Sequence, residues 1–398
     1  MSLATSAPVD ACEPPRLLAD FGSPLYVYDL DRVAASLEAL RRAFDDPAVD
    51  LHYAIVCNKN RALVRRLHEW GVGVHANTPG DAAAALAAGV PAARIVYSGT
   101  NLDARDLEFL HARGIHMNLD CVDQVLDRAR LGPGAIGLRY LIDDPERRNR
   151  IGVGDEELDE ALAAAAAAEL RVTGLHMHAG TNNMRAERAL RCFERMQSAS
   201  RRLPDLEYLD VGGGFGIPYR DGGEPFDMGA FAEGVLADLG ALSKQRSRRI
   251  RLLVEPGRVL VAAAGTLYVT VVSVKQRGGR RYVGVDSTVG NVVVESVYHA
   301  FHRIEAVGVD APPLDVPTDV CGNTTHSRDF LGRGLSLPPL APGDVLAVRD
   351  VGAYGYAMSS HFLNRPRPAE LVVEGGRPRL TTRRETFDDL LAAQLSEA

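Results

Sequence analysis

At 398 residues the chain exceeds what one ordinary hydrophobic core serves, so two domains are expected. With 46% hydrophobic and 24% charged residues it reads as globular, and a net charge of −7 argues against a nucleic-acid-binding surface. No apolar run nears the ~20 residues of a membrane span. The opening MSLATSAPVD lacks the basic-then-apolar order of a secretion signal, so a cytoplasmic protein is expected.

In chain order, Pro24–Asp29 reads as a strand ahead of the main pattern. From about Leu51 to Gly257, short apolar runs alternate with helix-like stretches. Strands are predicted at His52–Val56, Gly73–Ala76, Arg94–Ser98, His116–Leu119, Ala135–Tyr140, Val172–His178, Tyr208–Val211 and Arg251–Glu255. Helices are predicted at Asn60–Trp70, Pro79–Ala88, Asp103–Ala112, Glu156–Leu170, Ala186–Arg202 and Met228–Leu242. Strands that alternate with helices pair in parallel, and eight of them close a barrel. An open doubly wound sheet is the alternative; the length of the segment favours the barrel. Beyond Gly265, Thr266–Lys275, Arg281–Asp286, Val345–Val351 and Ala369–Glu374 read as strands with few helices between them. Arg277-Gly278-Gly279 and Gly375-Gly376 fit hairpin turns. The predicted architecture is an α/β fold: a (β/α)8 barrel over residues 28–264, with a mostly β domain from 1–27 and 265–398.

Chemistry in such a barrel sits at the C-terminal ends of its strands. The sixth predicted strand ends in His176-Met177-His178-Ala179-Gly180-Thr181, and alternation puts both imidazoles on one face. A histidine there is more often a core residue. Metal ligation and stacking on a ring are the functional readings, and no carboxylate at metal-ligand spacing supports the former. The seventh ends in Asp210-Val211-Gly212-Gly213-Gly214-Phe215-Gly216, whose N–H groups can close on an anion without interference from Cβ, although glycines also make plain turns. The eighth ends in Glu255-Pro256-Gly257-Arg258. This is either a simple ion pair, or a carboxylate for a basic ring nitrogen beside an arginine for a phosphate. Five scattered cysteines (Cys12, Cys57, Cys121, Cys192, Cys321) form no CxxC pair, so neither a disulfide framework nor a metal site is expected.

The order HxHxG, GGGFG, EPGR and a late Gly352-Ala353-Tyr354 resembles the fold-type III pyridoxal 5′-phosphate (PLP) decarboxylases, the diaminopimelate and ornithine decarboxylase group. The likeness runs from about Pro24 to Glu370. Tyr53-Ala54-Ile55 through Cys57-Asn58 is similar to the family's first-strand motif, and Arg365–Glu370 to a closing one. The resemblance implies that His178 stacks on the PLP ring. It implies that Thr181, Gly213, Gly214 and Arg258 hold the phosphate with Tyr354, that Glu255 pairs with the pyridine nitrogen, and that Arg139 lies near the ring. It further implies decarboxylation of an amino acid or a derivative, and a homodimer whose late motifs complete the neighbour's site.

Four positions depart from the family. Its Tyr-Ala-x-Lys-x-Asn lysine, which carries the cofactor covalently, is Val56 here, and valine can neither form that bond nor move a proton. Thr325 stands where the family has a proton-donating cysteine, and a hydroxyl is a far weaker acid than a thiol. His326 replaces an acidic residue that reads a distal amine, which argues against a plain diamino-acid substrate. His75 replaces a second-strand aspartate, while Asp81 is retained. The chain has three lysines, Lys59, Lys244 and Lys275. Lys59 lies nearest Val56; a solvated loop lysine is the plainer reading, and an inward reach is the other. The catalytic candidates are therefore His178, His75, His326 and Lys59, with non-covalent PLP left open. A catalytically altered PLP-binding homologue and an enzyme that uses the barrel mouth without PLP are the alternatives.

Overall fold

The computed structural model describes residues 13–142, 149–293 and 301–395; the amino-terminal stretch read above for a signal, with Cys12, lies outside them. The chain forms two compact units. One takes in the chain up to Leu37, the short Pro218–Gly223 segment and everything from Leu260 onward; the other is Glu38–Ile217 with Glu224–Val259.

In the first unit, β1 (Leu25–Asp29) pairs parallel with β16 (Ala369–Glu374) and antiparallel with β10 (Gly265–Arg277). The early strand predicted from Pro24 thus joins the β-rich unit. Alternation along β1 sends Leu25 and Val27 into an apolar cluster with Tyr268, Ala347 and Leu371. On the opposite face, the Tyr28 hydroxyl donates to Glu370 Oε1 at 2.7 Å. The predicted hairpins form: β10 turns through Gly278 and Gly279, both at positive φ, into β11 (Arg280–Val285). β15 (Val345–Val348) pairs with the near half of β10. Four strands have no counterpart in the sequence reading: β12 (Ile304–Val307), β13 (Thr318–Cys321), β14 (Phe330–Leu335) and β17 (Arg377–Thr382). β14 and β17 end the main run of the sheet, and their Gly-Arg-Gly and Arg-Pro-Arg segments suit an edge while hiding the strand signal.

The second unit is a closed parallel barrel of β2 (Val49–Ala54), β3 (Gly73–Ala76), β4 (Ile95–Ser98), β5 (His116–Leu119), β6 (Gly134–Arg139), β7 (Leu170–His176), β8 (Tyr208–Asp210) and β9 (Arg251–Val254). Its interior is partly polar. Asn118 Nδ2 donates to Ser98 Oγ at 2.9 Å, and the Tyr208 hydroxyl bridges Asn118 Oδ1 and His116 Nε2. Gly137 and Gly174 make room for that tyrosine: a Cβ at either would lie 2.0–2.2 Å from its side chain.

Several barrel helices begin at a side-chain cap. Asn60 accepts from the N–H groups of Ala62 (3.1 Å) and Leu63 (3.4 Å) and so starts the helix Arg61–Glu69, which buries Leu63, Val64 and Leu67. Asn60→Ala is expected to cost about 1 kcal/mol, read as a lower urea midpoint at unchanged slope. Among the described residues no helix is long and apolar enough to cross a membrane.

One strand end differs from the sequence reading. β2 stops at Ala54, and Ile55–Cys57 is a 3₁₀ turn. The Ala54 N–H is taken by Pro256 O (3.2 Å), and the Asn58 N–H turns back onto Ile55 O (3.0 Å). Val56 therefore leaves the strand register: Ile55 and Cys57 are buried, while Val56 is 39% exposed.

Candidate active site

The strand-end loops of the barrel are tied to one another. Met177 N–H donates to Asp210 O, Val211 N–H to Leu253 O, and Glu255 N–H to Gly212 O at 2.8 Å. This brings the last residues of β6, β7, β8 and β9 into one buried cluster. Glu255 is 3% exposed. Its Oε2 lies 3.2 Å from His176 Nε2, and its Oε1 lies 3.3 Å from His75 Nε2. The two imidazole rings are nearly parallel, at 16° and 5.7 Å between centroids. The ligand atoms of His75, His176 and Glu255 all fall within 4.8 Å of one another. The sequence reading found no carboxylate at metal-ligand spacing from the histidines; in space Glu255 is one.

Asp210, fully buried, accepts from Gly212 N–H at 2.9 Å and lies close enough to Glu255 for the two charges to interact. Burial pushes Glu255 up to about 8, against the lowering pull of Asp210 and the Arg139 guanidinium. Burial, then the charge of Glu255, raises Asp210 well above the carboxylate range. Two such acids in contact hold one proton between them more readily than two charges. Arg139 ends β6 with its guanidinium withdrawn from solvent and facing Glu255, Asp120 and Asp210. Burial, with Arg139 adding to it, pushes His178 down to about 3. Burial also lowers His176 to about 4, with Asp210 opposing it, and lowers His75 well below its ordinary value.

These shifts set a stability profile for the cofactor-free protein. His52 and His116, lower in the barrel, are likewise held down to about 4 by burial. Between pH 4 and 6.5 the unfolded chain binds protons at these histidines and the folded one does not. Stability therefore falls as pH drops through that window, by ~1.4 kcal/mol per pH unit for each histidine. Glu255 works oppositely: its folded form keeps a proton up to about 8, so stability falls as pH rises from its ordinary 4.5 toward 8. Urea midpoints measured against pH are expected to peak near pH ~6.5 and to fall more steeply on the acid side. A midpoint that does not drop below that pH would contradict the neutral, buried histidines.

Beside this cluster two loops run in register. Asn183 N–H donates to Gly214 O at 2.8 Å, and Gly216 N–H to Asn183 O at 2.8 Å, which sets Thr181 in the loop alongside the glycine run. A Cβ on Gly213 would lie 2.1 Å from Glu255 O. One on Gly214 would lie 1.9 Å from Gly180 O and 3.3 Å from His178 Cε1. The structure thus gathers His75, Arg139, His178, Glu255, Gly213 and Gly214 around one mouth. Thr181 is exposed, and Arg258 opens the short helix Arg258–Val261 directly after the eighth strand end.

The remaining candidates stand elsewhere. Lys59 is exposed on the loop before Asn60, with its charge felt by Asp81. Tyr354 (φ 62°), Thr325 and His326 belong to the β-rich unit. There, the loop Cys321–Asp329 is fixed by buried Asp329, which accepts from the N–H groups of Val289 and Thr324. Thr325 is exposed on that loop, and the His326 ring lies edge-on to Phe362 at 5.3 Å. Sequence reasoning gave no role to Asp210, although it heads the glycine motif, or to buried Asp120, which directly follows β5. An acid that ends a barrel strand is the signal that finds both.

A closed eight-stranded barrel with a buried acid cluster at its strand ends, joined to a sheet built from both ends of the chain, is the architecture of the PLP-dependent decarboxylases. A family model described as "Pyridoxal-dependent decarboxylase, pyridoxal binding domain" matches residues 30–262. The diaminopimelate decarboxylase of Methanothermobacter thermautotrophicus is 32% identical over 95% of this chain and 93% of its own. That of Neisseria meningitidis is 32% identical over 96% and 97%. The crystal structure of Helicobacter pylori diaminopimelate decarboxylase complexed with L-lysine superposes with a TM-score of 0.87 at 28% identity, covering 95% of this chain and 98% of that one. The chain belongs to the pyridoxal-dependent decarboxylase family, as a PLP-dependent carboxy-lyase.

The residues present suit that cofactor. Gly213 and Gly214 sit where no side chain could be accommodated, and Glu255 keeps a buried oxygen, Oε1, with no hydrogen-bond partner among the described residues. Such an orphan acceptor is satisfied by a protonated ring nitrogen.

Proposed function

We propose that this enzyme decarboxylates an amino acid or amino-acid derivative on PLP held without a covalent lysine, with altered groups handling the proton. The observation that carries this reading is Val56, exposed at the mouth end of β2 beside an otherwise suitable cofactor cradle. In this reading His178 supports the ring and Arg139 lies near it. Thr181, Gly213, Gly214 and Arg258 hold the phosphate through N–H groups, a hydroxyl and a guanidinium. Glu255 holds the proton of the ring nitrogen. Bound PLP supplies an electron sink for the pair left behind when the carboxylate departs as carbon dioxide. Buried His75, His176 and Asp210 keep water from Glu255.

Val56 cannot return a proton to the product carbon, and the Thr325 hydroxyl is a weak acid, so this step falls to an imidazole, His326. We read His326, Thr325 and Tyr354 as supplied by a second copy of the chain in a homodimer. The relatives' name suggests a diamino-acid substrate; His326 in place of an acid argues for a side chain without a distal ammonium group.

Borohydride treatment of the PLP-loaded protein followed by peptide mass spectrometry tests the reading. The expected result is bound, dialysable cofactor and no pyridoxyl-lysine. A pyridoxyl adduct on Lys59 would overturn the non-covalent part, and failure to bind PLP would overturn the whole. The loss of both usual proton-handling groups favours one second reading, a PLP-binding homologue that turns nothing over.

A further inference from the structure

We propose that His75, His176 and Glu255 form a three-ligand site for a divalent transition metal such as Zn²⁺, which the cofactor-free protein takes up and which excludes PLP while bound. The exclusion rests on the cofactor reading above; the metal site does not, and its test is made on the cofactor-free protein.

β3, β7 and the end of β9 each bring one donor side chain to the same buried spot. His176 Nε2 and Glu255 Oε2 share a hydrogen bond at 3.2 Å. His75 Nε2 and Glu255 Oε1 stand 3.3 Å apart, and neither atom has a hydrogen-bond partner among the described residues. Both side chains are buried, His75 at 4% exposure and Glu255 at 3%. A buried nitrogen and oxygen that face each other without a hydrogen bond are two orphans. A single cation satisfies both, taking a lone pair from each. Ligand atoms around a tetrahedral zinc ion, each ~2.0–2.1 Å from it, lie about 3.3–3.4 Å from one another. The two nitrogen–oxygen separations, 3.2 and 3.3 Å, are already close to that spacing, so the side chains need little movement to close on an ion.

The donor set selects the ion. Two imidazoles and one carboxylate suit Zn²⁺ and its neighbours in the first transition row, whereas Mg²⁺ and Ca²⁺ favour oxygen donors. Burial keeps both imidazoles neutral, which leaves each ring a nitrogen lone pair to offer. Charge favours a dication as well. Arg139 faces Glu255, Asp120 and Asp210, three carboxyls to one guanidinium. In the metal-free protein protons offset the excess of acids; a bound dication takes over that role and releases the Glu255 proton to solvent. Nδ1 of each ring has no partner among the described residues. Loss of the group that orients a ligating imidazole weakens a metal site by about 10–100-fold. The affinity is therefore set in the micromolar range, that of an exchangeable ion and not of a permanent zinc centre. Val56 in place of the lysine leaves the cofactor exchangeable too. Glu255 Oε1 cannot meet the metal and the ring nitrogen together, so the two ligands compete.

Calorimetric titration of the cofactor-free, full-length protein with Zn²⁺ is expected to show one micromolar site, and titration with Mg²⁺ none. His75→Phe and His176→Phe are each expected to weaken zinc binding by more than about 10²-fold. His361→Ala, which removes an exposed histidine paired with Glu385, is expected to leave it unchanged. X-ray absorption of the zinc-loaded wild type, which needs no variant to fold, is expected to count two imidazoles and a carboxylate at about 2.0–2.1 Å. Zinc at ten times its dissociation constant is expected to weaken PLP binding about ten-fold in the wild type and not in His75→Phe. No zinc site in the wild type, fewer than two imidazoles on the ion, or a sulfur ligand, which would put the metal on a free cysteine such as buried Cys57, would each overturn the metal site. So would His75→Phe and His176→Phe proteins that are folded by circular dichroism and bind zinc as tightly as the wild type. PLP affinity unmoved by zinc would overturn the exclusion. If zinc binds as described and PLP does not bind at all, the cofactor reading fails and the metal site stands.

Discussion

Val56→Lys is expected to turn a dialysable cofactor into a covalently attached one. The side chain stands on a tight 3₁₀ turn between buried Ile55 and Cys57, is itself 39% exposed, and needs no core space to lengthen. The variant should fold as the parent does. Its new amine adds a second attachment to a ligand already held by phosphate and ring contacts, and apparent PLP affinity is expected to rise by about 10²-fold. Borohydride should then fix one pyridoxyl group per chain on residue 56. The wild type under the same treatment is expected to yield none. A variant that binds PLP no better, and is not fixed, would mean that position 56 does not face the cofactor.

The second large effect is expected from Gly214→Ala. Gly214 lies at φ 84°, where an L side chain is strained, and its added Cβ would meet the backbone oxygen of Gly180 at 1.9 Å. That oxygen belongs to the loop carrying Thr181, so the strain has to separate the two loops. A stability loss of about 2–4 kcal/mol is expected, with PLP binding abolished. Gly89→Ala is the control: its φ of 96° is equally unsuited to alanine, yet nothing lies within 4 Å of the added Cβ. It should cost only about 1 kcal/mol and leave PLP binding unchanged. Equal loss of PLP in both variants would reduce the glycine loop to a matter of global stability.

The barrel was legible because each of its strands is a short apolar run bounded by turn residues. Gly73–Ala76 and His116–Leu119 have the same limits in the sequence reading and in the structure. Where the apolar run continued past the strand, as at Ala54-Ile55-Val56, periodicity could not see the carbonyl of Pro256 that ends the pairing. Edge strands were illegible for a related reason. Arg377-Pro378-Arg379 is paired on one side only, so nothing in its composition had to be apolar.

The site divided in the same way. Glu255, the glycine run and His178 sit in local motifs and were found as such. The contact of Glu255 with His75 and His176 joins three strands far apart in the chain, and spacing along a sequence carries no trace of it. His75 was visible only as an oddity, a histidine where the family resemblance led one to expect an acid. Its meaning came from the buried carboxylate 3.3 Å away.

This chain is expected to remove a carboxylate from an amino acid on PLP without the usual lysine. Carbon dioxide release from a broad panel of amino acids and their derivatives, by the wild-type protein with and without added PLP, tests it most directly. PLP-dependent release from at least one compound is expected, at a rate that Glu255→Ala abolishes and with no pyridoxyl-lysine formed. PLP bound in full with no release from any compound would contradict it.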